Sequence, residues 1–359
     1  MSGPGFVPRR KVPLAPATSL RLGGDAEFFA RIERADELAE ALDWAQRQDL
    51  GVQLLGGGSN VVIADAGLRG LVLTLGSRSE SSTLEGGQLL VTIGAGACWD
   101  DFVARCVSRG WSGIECLSGI PGQVGATPIQ NVGAYGQEVA DTLVRVRTHD
   151  RQSGRCVELE HAEIEFGYRT SRLKTRDAGR FIVLDATFRL RSGGAPCLAY
   201  PEIARRFAPG EPPSLARARA VVLATRREKS MLLDPADENG RSCGSFFLNP
   251  IVASEQLDAL RARAPTSPPV FPQPDGRFKL PAAWLIEHAG FHKGQRWGAV
   301  GISSRHSLAL VAHPGATSRQ ILEVAHRIRD GVAHTLGIQL TPEPQFLGFG
   351  SSLQDLPPL

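Results

Sequence analysis

The sequence predicts an α+β protein of two or three domains. Its 359 residues are enough to bury more than one hydrophobic core. Predicted strands and helices alternate without the regular period of βαβ units, which favours α+β over a doubly wound architecture. Between residues 191 and 213 the composition shifts to Gly, Pro and Ala, which indicates a long loop or a domain boundary.

The predicted elements fall on both sides of that boundary region. Apolar spacing predicts helices over residues 36–48, 100–108, 282–288 and 318–336. Short apolar runs predict strands over residues 52–55, 61–63, 71–75, 89–93, 143–148, 181–190, 245–247, 300–303 and 308–311. We therefore expect a compact region before the boundary and a second one after it.

Composition and charge exclude several classes of function. The formal net charge is +3 and acidic residues are spread throughout, which argues against a nucleic-acid-binding surface. No segment approaches the ~20 apolar residues of a transmembrane helix. The six cysteines form no CxxC pair and show no metal-ligand spacing, so we expect reduced thiols, a cytoplasmic protein and no bound metal. Residues 1–16 lack the apolar stretch of a secretory signal and are expected to form a disordered leader.

A glycine-rich loop between two predicted strands is a candidate anion-binding site. Gly56, Gly57 and Gly58 are followed by Ser59 and Asn60. Because glycine has no Cβ, successive backbone amides can approach a pyrophosphate closely, and the two polar side chains add donors. A tight turn without a ligand is the alternative, although three consecutive glycines are more than a hairpin needs.

A second glycine pair begins a dinucleotide-binding fingerprint but does not complete it. Gly94 and Gly96 follow a predicted strand, and Glu115 lies ~20 residues downstream, where an acidic residue is expected. The position of the third glycine is occupied by Trp99, whose indole prevents the close packing of helix against strand that glycine permits. The sequence therefore does not predict a Rossmann fold.

A single serine between Gly244 and two phenylalanines is a candidate proton donor. Ser245 lies in no GxSxG elbow, so the sequence does not predict a hydrolase nucleophile. In a pocket lined by phenylalanine, its hydroxyl could instead give a proton to a carbanion formed beside it. A core or capping hydroxyl is the alternative.

Seven segments, taken together and in order, carry a resemblance to a known family. They are LGGGSN at 55–60, GAG at 94–96, GIPGQVGATPIQNVGAYG at 119–136, FGYRTSRLK at 166–174, CGSFFLNP at 243–250, KLPAAWLIEHAGFHKG at 279–294 and LTPEPQFLG at 340–348. This order resembles the UDP-N-acetylenolpyruvoylglucosamine reductase family, also called UDP-N-acetylmuramate dehydrogenases. The segments span most of the chain between residues 18 and 348.

The resemblance implies a fold and a cofactor. It implies an FAD-binding domain of the vanillyl-alcohol-oxidase type, made of two α+β subdomains, followed by an α+β C-terminal substrate-binding domain. We place the leader at residues 1–16, the FAD-binding domain at 17–190, a connecting segment at 191–235, the substrate-binding domain at 236–350 and a tail at 351–359. Residues 55–60 contain no histidine to which a flavin could be attached, so non-covalent FAD is expected.

The resemblance also implies a reaction in two halves. NADPH delivers a hydride to N5 of the flavin, and UDP-N-acetylenolpyruvoylglucosamine then accepts that hydride at the terminal carbon of its vinyl group. Negative charge develops on the adjacent carbon and delocalises into the substrate carboxylate. The product is UDP-N-acetylmuramate, a precursor of peptidoglycan.

Three catalytic residues are implied by the same resemblance. Ser245 supplies the proton to the carbon on which the charge develops. Arg169 holds the substrate carboxylate in a bidentate fork. Glu343 would repel that carboxylate if both were ionised, so we expect Glu343 to carry a proton and to donate it, or a hydrogen bond, to the enolate oxygen. Taken alone, Arg169 could also form a surface ion pair and Glu343 could be a solvated carboxylate.

The remaining site residues implied by the resemblance bind the two ligands. The residues implied in cofactor binding are Gly56, Gly57, Gly58, Ser59, Asn60, Gly119, Ile120, Pro121, Gly122, Gly125, Ala126, Gln130, Asn131, Gly133, Ala134, Tyr135 and Arg169. Those implied in substrate binding are Tyr168, Tyr200, Lys229, Asn249 and Lys293. Tyr200 matches the loop tyrosine of members that close a long loop over the nucleotide sugar, which indicates the loop-bearing subtype. A loop aromatic that packs on the surface is the alternative for Tyr200.

One position departs from the family pattern, and two other functions remain open. Many members have arginine two residues after the catalytic glutamate, whereas this chain has Gln345, which carries no charge and leaves the orientation of Glu343 open. A flavin oxidase of the same domain type and a nucleotide-sugar-binding module without catalysis are the alternatives. No exposed heptad indicates a partner helix, so a monomer is expected.

Overall fold

The computed structural model describes residues 6–85, 87–208, 210 and 213–349. Its α-helices are α1 (Ala35–Arg47), α2 (Trp99–Ser108), α3 (His161–Ile164), α4 (Pro201–Ala204), α5 (Leu215–Glu228), α6 (Ser254–Arg263), α7 (Ala282–His288) and α8 (Ser318–Leu336). Its first ten strands are β1 (Arg9–Pro13), β2 (Asp25–Ile32), β3 (Val52–Leu54), β4 (Val61–Ile63), β5 (Leu68–Leu75), β6 (Glu80–Glu85), β7 (Gln88–Gly94), β8 (Trp111–Ser112), β9 (Gly133–Ala134) and β10 (Gln137–Glu138). The others are β11 (Leu143–Asp150), β12 (Arg155–Glu160), β13 (Phe181–Ser192), β14 (Ile251–Val252), β15 (Phe271–Pro272), β16 (Phe278–Lys279), β17 (Arg296–Trp297), β18 (Val300–Ile302), β19 (Leu310–Ala312) and β20 (Gln345–Leu347).

The chain divides into two compact units that are not contiguous in sequence. Unit 1 comprises the described residues within 1–12, 26–57 and 69–232. Unit 2 comprises those within 13–25, 58–68 and 233–359. The expected domains differ from this division because residues 191–232 belong to unit 1, while two short early segments belong to unit 2. The expected tail at 351–359 lies outside the described residues.

The described part of unit 1 contains two large sheets, each with its own apolar core, and a third sheet of only two strands, β9 and β10. The first sheet has the strand order β1-β2-β5-β3, and β3 runs parallel to β5. The amphipathic helix α1 packs Leu38 and Ala41 against Leu71 and Leu73 of β5, and all four side chains are fully buried. This part of unit 1 is therefore a small α+β subdomain.

The second sheet of unit 1 has the order β12-β11-β13-β7-β6, with β8 added beside β13. Along this order each strand from β12 to β6 pairs antiparallel with the next. Helix α2 packs Trp99 and Phe102 against Phe188 of β13, with ring centroids 5.5–5.9 Å apart. Because Trp99 is a core residue and β7 has antiparallel neighbours, the rejection of a Rossmann fold is confirmed.

The chain after β13 contains helices that the sequence did not predict. Residues 191–213 were interpreted as a loop or boundary, but β13 continues to Ser192, α4 follows, and α5 begins at Leu215. Ser214 precedes α5, and its side chain accepts a hydrogen bond from the N–H of Arg217 at 3.2 Å. Only three of the five buried residues of α5 are large and apolar, and arginines lie between them, so its apolar stripe is weaker than that of α8.

Unit 2 has small sheets around one large apolar core. Strand β20 pairs with β4 in parallel, and the other two sheets have the orders β14-β16-β15 and β17-β18-β19. Helix α8 spans the range that the sequence predicted, and it contributes Ile321, Ile328 and Val332 to the core. None of the helices in the described part of the chain is long and apolar enough to cross a membrane.

Two local predictions are corrected by the structure. The described part of the leader is ordered, since β1 pairs with β2 at the edge of the first sheet and Leu14 is fully buried. The strand predicted at 245–247 is reduced to isolated bridges. Ser245 pairs with Ala309 while Phe247 pairs with Pro342, so this segment crosses between two neighbours and follows neither for long enough to form a strand.

Candidate active site

The glycine-rich loop and the later glycine block of unit 1 leave no room for side chains between them. A Cβ on Gly57 would lie 2.7 Å from Cα of Gly122, closer than real Cβ contacts. Gly56 and Gly57 are exposed, so backbone forms this part of the surface. Close approach of a phosphate to main-chain amides requires such a surface. The next three loop residues, 58–60, belong to unit 2.

The glycine block itself is folded tightly against the second sheet. The N–H of Gly125 donates to the carbonyl of Ala95 at 2.9 Å, and a Cβ on Gly125 would lie 2.6 Å from Cβ of Ala95. The other residues of this block that were predicted to bind the cofactor are partly buried: Ile120, Pro121, Ala126, Gln130 and Ala134. Their cofactor contacts remain a prediction.

The Gly119 peptide is held from both sides by charged side chains that the sequence analysis did not assign. Its N–H donates to Oδ1 of Asp100 at 2.6 Å, and its carbonyl accepts from Nε of Arg226 at 3.2 Å. Asp100 also accepts two hydrogen bonds from Arg219, at 2.6 and 3.0 Å. Although burial favours the protonated form, these donors hold the pKa of Asp100 below its ordinary value.

Asn131 organises the end of the block through its side chain, which is 2% exposed. Nδ2 donates to Oε2 of Glu138 at 2.7 Å and to the carbonyl of Gly167 at 3.1 Å. Oδ1 accepts from the N–H of Ala140 at 3.0 Å. The side-chain amide of Asn131 therefore hydrogen-bonds to other residues of the protein. A contact of Asn131 with the cofactor, which remains a prediction, would be made by its main chain.

Arg169 lies against the same block. Its guanidinium donates to the main-chain carbonyls of Asn131, at 3.3 Å, and of Gly133. The carbonyl of Arg169 accepts a hydrogen bond from Nζ of Lys174 at 3.2 Å, and the guanidinium carbon lies 5.9 Å from the ring centroid of Tyr168. Arg169 thus contacts the glycine block, and Tyr168, the other site residue predicted in this segment, lies beside its guanidinium.

Three predicted site residues of unit 1 have a left-handed backbone without being glycine. The φ angles are +46° at Asn131, +49° at Tyr135 and +54° at Arg169. Such conformations cost energy in residues with a Cβ and concentrate at functional sites, where the surrounding contacts enforce them. Here the hydrogen bonds of Asn131 and Arg169 supply that enforcement.

Tyr200 and Lys229, both predicted to bind substrate, meet at Tyr135. The Tyr135 and Tyr200 rings form an edge-to-face pair with centroids 5.5 Å apart. Nζ of Lys229 lies 5.8 Å from the Tyr135 centroid and 2.6 Å from Oε1 of Glu202. Burial raises the pKa of Tyr135 to about 12, and burial together with the charge of Glu202 raises the pKa of Tyr200. Both phenols therefore keep their proton at neutral pH.

In unit 2, the segments that carry Ser245 and Glu343 lie side by side. Phe247 and Pro342 form an antiparallel bridge, and the N–H of Glu343 donates to the carbonyl of Phe246 at 2.9 Å. Phe246 and Phe247 are buried in the core of unit 2, and Ser245 is partly buried. The two segments, distant in sequence, thus reach one place by main-chain pairing.

Two further observations describe the surroundings of Glu343. Burial raises the pKa of the Cys243 thiol to about 12, and Glu343 lies near enough to add to that effect when it is ionised. Nδ2 of Asn60 donates to the carbonyl of Glu343 at 3.4 Å, and the carbonyl of Asn60 accepts from the N–H of Gln345 at 3.0 Å. The end of the glycine-rich loop is therefore part of the same cluster, and the departure from the family pattern, Gln345, is an exposed residue of β20.

The other two predicted substrate residues of unit 2 flank α7. Oδ1 of Asn249 accepts from the N–H of Ala282 at 2.9 Å, which satisfies a donor at the start of that helix. Lys293 lies beyond the end of α7 and is exposed, with Nζ 3.8 Å from Oε1 of Glu287. The predicted site residues are thus divided: Tyr168, Arg169, Tyr200 and Lys229 belong to unit 1, and Ser245, Asn249, Lys293 and Glu343 to unit 2.

Comparison with known proteins identifies first a class and then a family. A model described as an FAD binding domain matches residues 26–160. The phosphates of a dinucleotide could approach the exposed main chain of Gly56 and Gly57 closely, and together with the reductase relatives given below this match makes the chain an FAD-dependent α+β oxidoreductase, as predicted. A second model, described as the C-terminal domain of UDP-N-acetylenolpyruvoylglucosamine reductase, matches residues 234–347.

Full-length relatives extend these matches over the chain. A UDP-N-acetylenolpyruvoylglucosamine reductase from Thermobifida fusca is 46% identical over 349 residues, covering 94% of this chain and 98% of the relative. One from Streptomyces coelicolor is 43% identical, covering 94% and 89%. The crystal structure of the Thermus caldophilus reductase matches with a TM-score of 0.66 and 26% identity, covering 95% of this chain and all of that one. This chain belongs to the UDP-N-acetylenolpyruvoylglucosamine reductase family, which confirms the resemblance.

Proposed function

We propose that this protein reduces the enolpyruvyl ether of UDP-N-acetylglucosamine to UDP-N-acetylmuramate, with NADPH as reductant and non-covalent FAD as cofactor. The observation that carries the proposal is the main-chain pairing of the Ser245 segment with the Glu343 segment, in a chain that belongs to this family. A flavin oxidase that acts on an alcohol or an amine has no need of a serine on the substrate side. A binding module has no need of either residue.

Bound FAD would take a hydride from NADPH and give it to the terminal vinylic carbon of the substrate. Ser245 gives its proton to the adjacent carbon, which would otherwise hold a full negative charge. The antiparallel bridge of Ser245 to Ala309 supports this role because it holds the main chain of Ser245, and the preceding Gly244 permits a φ of +76° without a clash of Cβ. A general acid in that position accelerates the step by about 100-fold or more.

Arg169 and Glu343 stabilise the charge that spreads into the substrate carboxylate. The planar guanidinium of Arg169 suits a carboxylate, and its hydrogen bonds to Asn131 and Gly133 limit its orientation. Glu343, in its protonated form, donates to the enolate oxygen. Hydrogen-bond donors held at the place where charge develops are a major source of catalysis in such reactions.

The UDP part of the substrate is recognised by residues outside the reacting centre. We assign the diphosphate and sugar to Tyr200, Lys229, Asn249 and Lys293, and the enolpyruvyl side to Tyr168. The protonated phenol of Tyr200 and the ammonium of Lys229 are donors that suit phosphate oxygens. All six cysteines are free, which supports a cytoplasmic location, where peptidoglycan precursors would be made.

The test uses the purified full-length protein. We expect it to retain FAD that is released on denaturation, and to oxidise more than one equivalent of NADPH per flavin only when the enolpyruvyl nucleotide is added, with UDP-N-acetylmuramate identified by mass spectrometry. UDP-N-acetylglucosamine, which lacks the vinyl group, is the matched control and should support no anaerobic oxidation of NADPH beyond that first equivalent. Protein without affinity for FAD, or NADPH oxidation that ignores the enolpyruvyl group, would overturn the proposal.

A further inference from the structure

Glu115, which the failed dinucleotide fingerprint singled out, is a fully buried carboxylate of unit 1. It accepts three hydrogen bonds. Oε2 accepts from the N–H of Gly113 at 2.7 Å, while Oε1 accepts from Nε2 of Gln137 at 3.0 Å and from the N–H of Cys197 at 2.7 Å. A charge removed from water persists only where donors replace the water, and these three supply that replacement.

The groups that Glu115 joins belong to two functional segments. Gln137 follows the turn that carries Tyr135, and Cys197 precedes Tyr200 by three positions. The Cys197 peptide is held at both ends, because its carbonyl accepts from Sγ of Cys116 at 3.3 Å while its N–H donates to Glu115. Oε1 of Gln137 in turn accepts from the N–H of Cys116 at 2.7 Å.

The same two segments meet again at the tyrosines. The Tyr135 and Tyr200 rings are in edge-to-face contact, and a Cβ on Gly136 would lie 3.7 Å from Cβ of Tyr200. Residues 197–200 are therefore attached to residues 135–137 at both ends, by hydrogen bonds to buried groups at one end and by ring packing at the other. Only the ring contact is near the surface, since Tyr200 is 42% exposed.

We propose that Glu115 and Gln137 are positioning residues that fix the base of the loop bearing Tyr200, and so set the place of the Tyr200 phenol for the UDP part of the substrate. This inference rests on the proposed function. The carboxylate is required because it accepts on both oxygens, whereas an amide would turn an NH₂ group toward one of the three donors. An NH₂ group turned toward Cys197 would remove the attachment itself, and one turned toward Gly113 would displace the side chain that makes it, so in both orientations the hold on the loop weakens while the ring contact remains.

The first experiment is a double-mutant cycle. Rates of flavin reoxidation, measured by stopped flow at varied concentrations of the enolpyruvyl nucleotide, give its Kd for the wild type, Glu115→Gln, Tyr200→Ala and the double variant. We expect Glu115→Gln to raise Kd by about tenfold with a smaller effect on the limiting rate, and to add little in the Tyr200→Ala background. Glu158→Gln, an exposed substitution on β12, is the matched control and should leave Kd unchanged.

A merely structural role for Glu115 gives a different result. Loss of general stability would raise Kd by the same factor in both backgrounds, and that additivity would overturn the inference. If Glu115→Gln does not fold, Gln137→Met removes two partners of the same network and is expected to follow the same pattern.

The second experiment does not depend on turnover. Hydrogen–deuterium exchange of peptides that cover residues 197–204 should be faster in Glu115→Gln than in the wild type, and unchanged in Glu158→Gln. Unchanged exchange in Glu115→Gln would overturn the inference even in an active enzyme. A wild type that never reduces the enolpyruvyl nucleotide would instead overturn the proposed function, and exchange would still show whether Glu115 holds this loop.

Discussion

The main-chain N–H of Glu343 donates a hydrogen bond to the carbonyl oxygen of Phe246, the residue after Ser245, at 2.9 Å. Main-chain pairing therefore brings together the segments that carry Ser245 and Glu343, the two residues that we propose as proton or hydrogen-bond donors to the substrate. Because Phe246 is fully buried in the core of unit 2, this pairing is coupled to the folding of that unit. Substitution of either side chain should leave the main-chain pairing in place, which makes both residues suitable for mutational tests.

Ser245→Ala is expected to separate the two half-reactions. NADPH should still bleach the flavin at the wild-type rate, whereas reoxidation by the enolpyruvyl nucleotide should slow by about 100-fold or more, because no proton reaches the carbanion. Anaerobic stopped-flow absorbance measures both steps. Ser242→Ala, a neighbouring buried serine, is the control; normal reoxidation in Ser245→Ala would remove Ser245 from the mechanism.

Arg169→Lys should lower kcat/KM for the enolpyruvyl nucleotide by about 10- to 100-fold. An ammonium group cannot form the two parallel hydrogen bonds that a planar guanidinium makes to a carboxylate. The exposed Arg176, also in the chain between β12 and β13, provides the control Arg176→Lys. FAD content, measured after denaturation, should be retained in both. Equal kcat/KM values in the two variants would contradict the assignment of Arg169.

Asn131→Asp should destabilise the protein by about 1–3 kcal/mol at neutral pH, because it removes two donors from a buried site and places a carboxylate beside Glu138. The measurement is urea denaturation followed by circular dichroism. Gln130→Glu, the partly buried neighbouring position, is the comparison. A free energy of unfolding equal to that of the wild type would show that the hydrogen bonds of the Asn131 side chain do not hold the glycine block.

Asp100→Asn carries a prediction about pH. The pKa of Asp100 in the folded state is held low, so its ionised form stabilises the protein above the pKa of the unfolded chain, about 4. That contribution is lost as pH falls through the lower folded-state pKa. The variant should therefore be less stable than the wild type at pH 7, with the difference shrinking below about pH 4. Asp101→Asn, at an exposed position on the same helical turn, is the matched control.

Segments with an apolar stripe or a continuous apolar run were predictable from the sequence, and the polar strand β1, which is ordered by pairing, was not. Helix α8 matches its predicted range because an unbroken apolar stripe marks its buried face. Strand β1 was missed because its ordering depends on pairing with β2. The Ser245–Phe247 strand was overpredicted because its apolar residues are buried without being part of a ladder.

The candidate site shows the same limit. The ordered motifs predicted Ser245, Arg169 and Glu343 as site residues, since each is embedded in a distinctive local run. The sequence did not predict the roles of Asp100 and Glu115, which hold Gly119 and Cys197 and whose partners, such as Arg219 and Cys197, lie far along the chain. No local pattern distinguishes such a carboxylate from a solvated one. The fact that Glu115 is followed by the apolar pair Cys116 and Leu117 was the one available signal of burial.

The most direct test of the central claim is an anaerobic single turnover of the wild-type protein. One equivalent of NADPH should bleach the bound flavin, and the enolpyruvyl nucleotide, added afterwards, should restore the absorbance while one UDP-N-acetylmuramate forms per flavin. A flavin that stays bleached in the presence of the nucleotide, or that recovers without formation of UDP-N-acetylmuramate, would contradict the account.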